Sequence, residues 1–253
     1  MCFDHDSRPP IAPIAGGAHD FSPLTLTAAD GNRFAAFRAR PASPAGAGVV
    51  ILPDVRGLHH YYEELALRFA EHGIDALALD WFGRTAGAEP RAEGFEYMPH
   101  VQRTTWDGIA ADIRASVEAV RGDGIERVFV LGFCMGGRMA FLAATLGLDL
   151  AGVIGFYGTL VGPWRNDAPE PVALADRMAG PVLGLFGGAD QAIPAEHIAA
   201  FETALQTADV EHRLVTYPNA PHSFFDRKAN EFAAESAAAW EEVTAFVGSG
   251  QEG

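Results

Sequence analysis

The stretch VFVLGFCMGGRMAF, Val128 to Phe141, decides how the chain is read. An apolar run suited to a buried strand breaks at Gly132, presents Cys134, breaks again at Gly136-Gly137 and resumes with the spacing of a helix. The result is Gly-x-Cys-x-Gly between a strand and a helix, the context that a nucleophile turn requires. Such a tight turn presses backbone against backbone two positions before and two after the cysteine, where side chains would collide. Cys134 then projects from a strand tip at a helix N-terminus, where the dipole favours thiolate and backbone N–H groups can receive an oxyanion. Alone the motif is weak. The chain's 28 glycines make chance matches easy, and a small buried hydrophobe would account for the cysteine equally well.

Around this stretch, from Gly48 on, short continuous apolar runs alternate with helical segments, the pattern of parallel strands covered on both faces. VVILP (Val49–Pro53) and DALALD (Asp75–Asp80) are predicted strands; Tyr62, Leu65, Ala66 and Phe69 form one stripe of a helix between them that ends near Gly73. A helix over about Trp106–Arg121 precedes the strand Val128–Phe133, and a helix from Met135 to about Leu146 follows it. AGVIGFYG (Ala151–Gly158), Val182–Phe186 and Arg213–Tyr217 are further strands, with helices over Ala195–Gln206 and about Asn230–Val247. Upstream, SPLTLTAADGNRFAAFRARP (Ser22–Pro41) reads as an antiparallel hairpin turning at Asp30-Gly31-Asn32. The expected architecture is α/β: a mostly parallel, doubly wound sheet with an antiparallel N-terminal hairpin at one edge. It forms one domain over residues 21–253, after a Pro/Gly-rich arm over residues 1–20. The irregular segments Trp81–Thr105 and Leu160–Met178 are candidate pocket walls.

A thiol nucleophile needs a base, and the base needs an orienter. Downstream, VLGLFGGADQAIP puts Asp190 in a turn directly after a strand, and VTYPNAPHSFF puts His222 in a loop directly after the next. Each alone reads equally well as a turn former or a surface-loop histidine. Together with Cys134 they follow three strands of one parallel sheet, whose carboxyl ends share a rim. Asp54, after Val49–Leu52, belongs to the same rim, although a turn-forming role is nearly as good a reading. The N–H groups of Val55 and Met135 are candidates for the two halves of an oxyanion hole.

With 33 acidic against 18 basic side chains, a formal charge of −15 and no Lys/Arg cluster, the chain is not expected to bind nucleic acid or an anionic membrane. No apolar run of about 18 residues suggests a membrane span. Cys2 and Cys134 offer neither a disulfide framework nor paired metal-ligand spacing, and the first residues carry acids where a signal peptide needs bases. A cytoplasmic protein without metal or cofactor, monomeric or a small homo-oligomer, is expected.

The order cysteine, acid, histidine is that of α/β-hydrolases, and the motifs GFCMGG, GGAD and PHSF resemble those of the dienelactone hydrolase family over about Phe21–Val247. The resemblance implies an α/β-hydrolase fold in which Cys134 attacks a lactone or ester carbonyl, His222 moves the proton and Asp190 orients the imidazole. Water then releases the acyl-enzyme. It also implies that Asp54, where the family has Glu, holds and helps ionise the thiol. The family's substrate-carboxylate arginine, four residues after the histidine, is replaced by Asp226, with Arg227 adjacent. The second arginine's region, around Glu93 to Tyr97, offers no clear equivalent, although Arg91 and Arg103 are near. Arg56, Tyr97, Arg84 and Trp81 are candidate substrate contacts, with His59, His60 and Tyr61 close by; each is also readable as a surface or packing residue. The expected partner is a small ester or lactone. Thioester hydrolysis or acyl transfer by the same residues, and ligand binding without turnover, are the alternatives.

Overall fold

The computed structural model describes residues 7–89, 91, 94–164 and 167–249. Most of the candidate arm is therefore within view, while residues 1–6, including Cys2, and Glu93 lie outside the described residues. Eight strands form one sheet: β1 (Ala18–Thr27), β2 (Arg33–Pro41), β3 (Ala47–Leu52), β4 (Asp75–Leu79), β5 (Arg127–Phe133), β6 (Gly152–Phe156), β7 (Val182–Gly187) and β8 (His212–Tyr217). Between and after them run α1 (His60–Glu71), α2 (Gly83–Ala86), α3 (Met98–Val101), α4 (Trp106–Arg121), α5 (Met135–Ala143), α6 (Ala195–Thr207) and α7 (Ala233–Gly248). The spatial order is β1-β2-β4-β3-β5-β6-β7-β8. β1 pairs antiparallel with β2, and β2 antiparallel with β4; every later pairing is parallel. The expected mixed sheet with its hairpin at one edge is therefore what forms.

Strands β3 to β7 are buried along their whole length apart from the first residue of β5, which is why their sequences lack alternation. The chain leaves β3 toward the hairpin side to make β4, then returns across β3 to make β5. That reversal leaves a crevice at the carboxyl ends of β3 and β5. Asp54 and Cys134 follow those two strands. Helix α4 starts on a Thr105 cap, whose hydroxyl accepts from the Gly108 N–H at 3.2 Å, and carries Asp107 in its first turn and Arg121 in its last. Strand β2 is locked to β4 by the buried Arg38, whose Nε and Nη2 donate to the two oxygens of Asp75 at 2.9 and 3.1 Å.

The largest departures from the expected boundaries are three. β1 begins at Ala18, inside the candidate arm, because Ala18 still finds Pro41 as a cross-strand partner. The arm is also docked: the Ile14 N–H donates to Glu71 Oε2 of α1 at 2.8 Å. α5 ends at Ala143, and the N–H groups of residues 144–146 turn back three residues to Phe141, Leu142 and Ala143. α7 starts at Ala233, since the N–H groups of Lys228 and Phe232 close successive turns onto Ser223 and Lys228 instead. No helix among the described residues is long and apolar enough to cross a membrane.

The turn from β5 into α5 rests on missing side chains. A Cβ on Gly136 would run into the carbonyl oxygens of Leu52 and Pro53, and one on Gly132 into the Gly136 carbonyl. These are backbone atoms of the sheet and its first loop, so nothing can swing aside. Gly136→Ala should therefore destabilise by on the order of 3 kcal/mol, read as a lower urea midpoint at unchanged slope. A midpoint equal to wild type would show that the turn is not packed this tightly.

Candidate active site

Cys134 occupies the corner between β5 and α5 at φ 55° and ψ −112°, a backbone region that costs a residue with a side chain about 1–3 kcal/mol. Its N–H donates to Phe156 O of β6 at 3.0 Å, and its carbonyl accepts from the Arg138 N–H at 3.2 Å. Both neighbours hold the corner in place. The following residue, Met135, is buried and begins α5, where the first N–H groups have no partner within the helix.

Asp190 and His222 come from the loops after β7 and β8, and these two loops are joined to each other. The Gly188 N–H donates to Tyr217 O at 2.8 Å and the Ala189 N–H to Ala220 O at 3.0 Å. Such closeness needs Gly187 and Gly188, since Cβ atoms there would meet the Ala220 and Pro218 carbonyls. Asp190 is buried; its Oδ1 accepts from the Ala192 N–H at 2.9 Å and its Oδ2 from His222 Nδ1 at 2.7 Å. Burial works against a charged imidazole, yet hydrogen bonds to Asp190 and Cys134, with the negative charge of both, lift His222 to about 10. An imidazolium held beside sulfur favours thiolate. The loops thus bring Cys134, His222 and Asp190 into one connected chain of contacts.

Asp54 has no exposed surface. Its N–H donates to the Tyr62 hydroxyl at 2.9 Å, its Oδ1 accepts from the Arg56 N–H at 2.8 Å, and Arg56 Nε lies 3.6 Å from its Oδ2. Val55 and Arg56 form the turn that the Gly57 N–H closes onto Asp54 O at 3.2 Å. Trp81 is buried and donates from Nε1 to Asp54 O at 2.9 Å, so it supports this loop from behind. Tyr97 is half-buried just ahead of α3 and packs on the core. Arg84 is engaged elsewhere: its guanidinium meets Asp30 at 2.7 Å, Asp112 at 2.9 Å and Gly108 O at 2.9 Å. It lines, with Trp81, Arg103 and Asp112, a small cavity that contains none of Cys134, Asp190, His222 and Asp54. Arg91 is likewise held by Asp80 and by the carbonyls of Ala86 and Gly87.

Four supporting residues escaped the sequence reading. Asp80, the last letter of DALALD, is buried and accepts from the Leu58 and Phe82 N–H groups and from Arg91, tying the loop after β3 to the loop after β4. Tyr62 was visible only as a core-facing helix position, although its hydroxyl meets Asp54. Tyr157 follows β6 at φ 38°, with its ring centroid 4.9 Å from that of His222. Arg138, on α5 and fully buried, directs its guanidinium to the carbonyls of Gly162, Ala168 and Pro169 and to Thr159 Oγ1. It thereby anchors the irregular segment after β6. Burial pulls it down to about 10, with nearby Glu170 opposing.

A sheet of this order, a strained residue at the β5–α5 corner and an acid–histidine pair on later loops define an α/β-hydrolase. Comparison narrows the class. The model of the dienelactone hydrolase family matches residues 34–250, and the chain belongs to that family. A candidate carboxymethylenebutenolidase of Yersinia pestis is 30% identical over 219 residues, covering 84% of this chain and 82% of the relative. One from Escherichia coli O157:H7 is 28% identical over 227 residues, covering 87% and 84%. Among solved structures, a candidate dienelactone hydrolase of Klebsiella pneumoniae superposes with a TM-score of 0.77 at 25% identity, covering 91% of this chain and all (100%) of that one. The chain is thus an enzyme of the hydrolase type.

If the raised His222 keeps sulfur ionised, iodoacetamide should alkylate Cys134 at a rate that stays flat from weakly acidic to weakly alkaline pH. His222→Ala should restore a titration near about 8.5, the value of an ordinary thiol. Site-specific mass spectrometry separates Cys134 from Cys2. A wild-type rate that climbs in proportion to hydroxide would count against the ion pair.

Proposed function

We propose that the enzyme hydrolyses a carboxylic ester or enol-lactone of the dienelactone type through a thiol acyl-enzyme on Cys134. The observation that carries the reading is the linked arrangement of Asp190, His222 and Cys134, with 2.7 Å between the acid and the imidazole Nδ1. The names of the Yersinia and Escherichia relatives support lactone chemistry.

In this mechanism the Cys134 thiolate attacks the carbonyl carbon, and the N–H groups of Met135 and Val55 receive the oxyanion. Collapse breaks the ester C–O bond, and the His222 imidazolium gives its proton to the departing oxygen. Neutral His222 then takes a proton from water, hydroxide adds to the thioester, and expulsion of the thiolate releases the acid and restores the ion pair. Asp190 holds the imidazole in the tautomer and orientation that both halves need. Asp54 acts as the buried carboxylate that prepares the thiol. Arg56 and Tyr97 face the substrate, while Trp81 holds the Asp54 loop from behind. The reaction takes place on a small molecule and uses no cofactor.

Cys134→Ala should lower kcat on dienelactone or aryl esters by at least about 10³ while the fold persists, and Asp190→Asn should fall by a comparable order. Running dienelactone beside neutral aryl esters ranks the substrates, and preference for the neutral esters is expected because Asp226 stands where an arginine would bind a carboxylate. Turnover surviving in Cys134→Ala would remove the sulfur from the mechanism.

A further inference from the structure

Asp226 is a buried acid that the mechanism above does not use. It is 4% exposed, and lies in the loop that follows His222. The Tyr157 hydroxyl donates to its Oδ2 at 2.8 Å, and the Arg227 N–H donates to its Oδ1. Tyr157 in turn lays its ring against the His222 imidazole, 4.9 Å between centroids at an interplanar angle of 55°. The adjoining Phe225 carbonyl accepts from the Tyr61 hydroxyl of α1 at 2.9 Å, so the loop is fastened on both sides.

We propose that Asp226 is a positioning residue for hydrolysis, acting on His222 through the Tyr157 phenol, and that loss of its proton sets the alkaline limit of turnover. The proposal rests on the thiol-hydrolase reading of Cys134 and His222. The groups that face Asp226 are Asp54 after β3, Tyr61 on α1, Tyr157 after β6, and His222 and the Arg227 N–H of its own loop. Burial pushes Asp226 up to about 8, with the Asp54 charge acting the same way; the Arg227 N–H, Tyr157 and His222 oppose it. At neutral pH the acid therefore keeps its proton, and Asp54 does not meet a second negative charge at Asp226.

The sign of the effect follows from the charge that appears. When the Asp226 proton leaves to solvent, the new negative charge opposes the oxyanion that forms at each tetrahedral stage. That lowers kcat as pH rises through about 8. Asparagine is close in shape to the protonated acid: its carbonyl accepts from the Arg227 N–H and its NH2 donates to the Tyr157 oxygen, with no charge to gain.

Two measurements test this. Infrared titration of the native enzyme should show a protonated-carboxyl band at neutral pH that disappears through about 8 and is missing from Asp226→Asn. With 4-nitrophenyl acetate as probe, wild-type kcat should fall with the same midpoint, and the normalised profile of Asp226→Asn should lack that fall. Tyr157→Phe should reduce kcat about tenfold at unchanged KM, the mark of a lost orientation rather than lost binding. Absence of the band, a fall that persists in Asp226→Asn, or a Tyr157→Phe enzyme with wild-type kcat each overturns the proposal. Should Asp226→Asn fail to fold, the native band and the native kcat fall must still share one midpoint, and two different midpoints overturn it. The infrared band reports on Asp226 even where Cys134→Ala has shown the thiol mechanism to be wrong, so the two failures are distinguishable.

Discussion

Backbone-to-backbone contact at Gly132 and Gly136 is the constraint on which the site depends. Two carbonyls of the β3 exit, those of Leu52 and Pro53, lie where a side chain on Gly136 would stand. The β5–α5 corner is thus seated directly on the loop that carries Asp54 and Val55. That seating joins the sulfur to half of the expected oxyanion pocket with no side-chain rotamer in between. The strained backbone of Cys134 is a result of the same contact, held by sheet hydrogen bonding through Phe156.

Electrostatics in the crevice follows from burial. Asp54, Asp190 and Asp226 are each at most 6% exposed; Asp226 feels both Asp54 and His222, and Asp190 bonds His222, so not every carboxyl can be charged at low cost. Asp190 has an imidazole and a backbone N–H, and Asp54 has the Arg56 backbone and side chain. Asp226 has a phenol and one N–H, the weakest set of the three, and it is the one whose proton is retained.

Much of this was legible beforehand, and what was not has a physical reason. The doubly buried strands, the hairpin and the Gly-x-Cys-x-Gly corner announce themselves through uninterrupted apolar runs and glycines whose spacing has a steric cause. Asp190 and His222 could be placed because each directly follows a strand. Asp80, Tyr62 and Tyr157 could not be, since their polar atoms meet partners outside their own element, and in sequence they look like the end of a strand or the stripe of a helix. Arg84 illustrates the opposite difficulty: an arginine in an irregular segment reads as a ligand contact, whereas Asp30 and Asp112, distant in the chain, surround its guanidinium. The helix ends at Ala143 and Ala233 shifted because local turns captured the terminal N–H groups, a competition that composition does not reveal.

Arg138 grips the segment after β6 mainly by main-chain oxygens, those of Gly162, Ala168 and Pro169, with the Thr159 hydroxyl and the Trp164 ring as side chains that it also meets. A clamp that reads mainly carbonyls is largely indifferent to the side chains it passes over. The letters that flank those carbonyls can therefore change while the backbone that bears them stays moored to the helix beside the sulfur. In this architecture, side-chain identity and scaffold are written in separate atoms, and one can be revised without erasing the other.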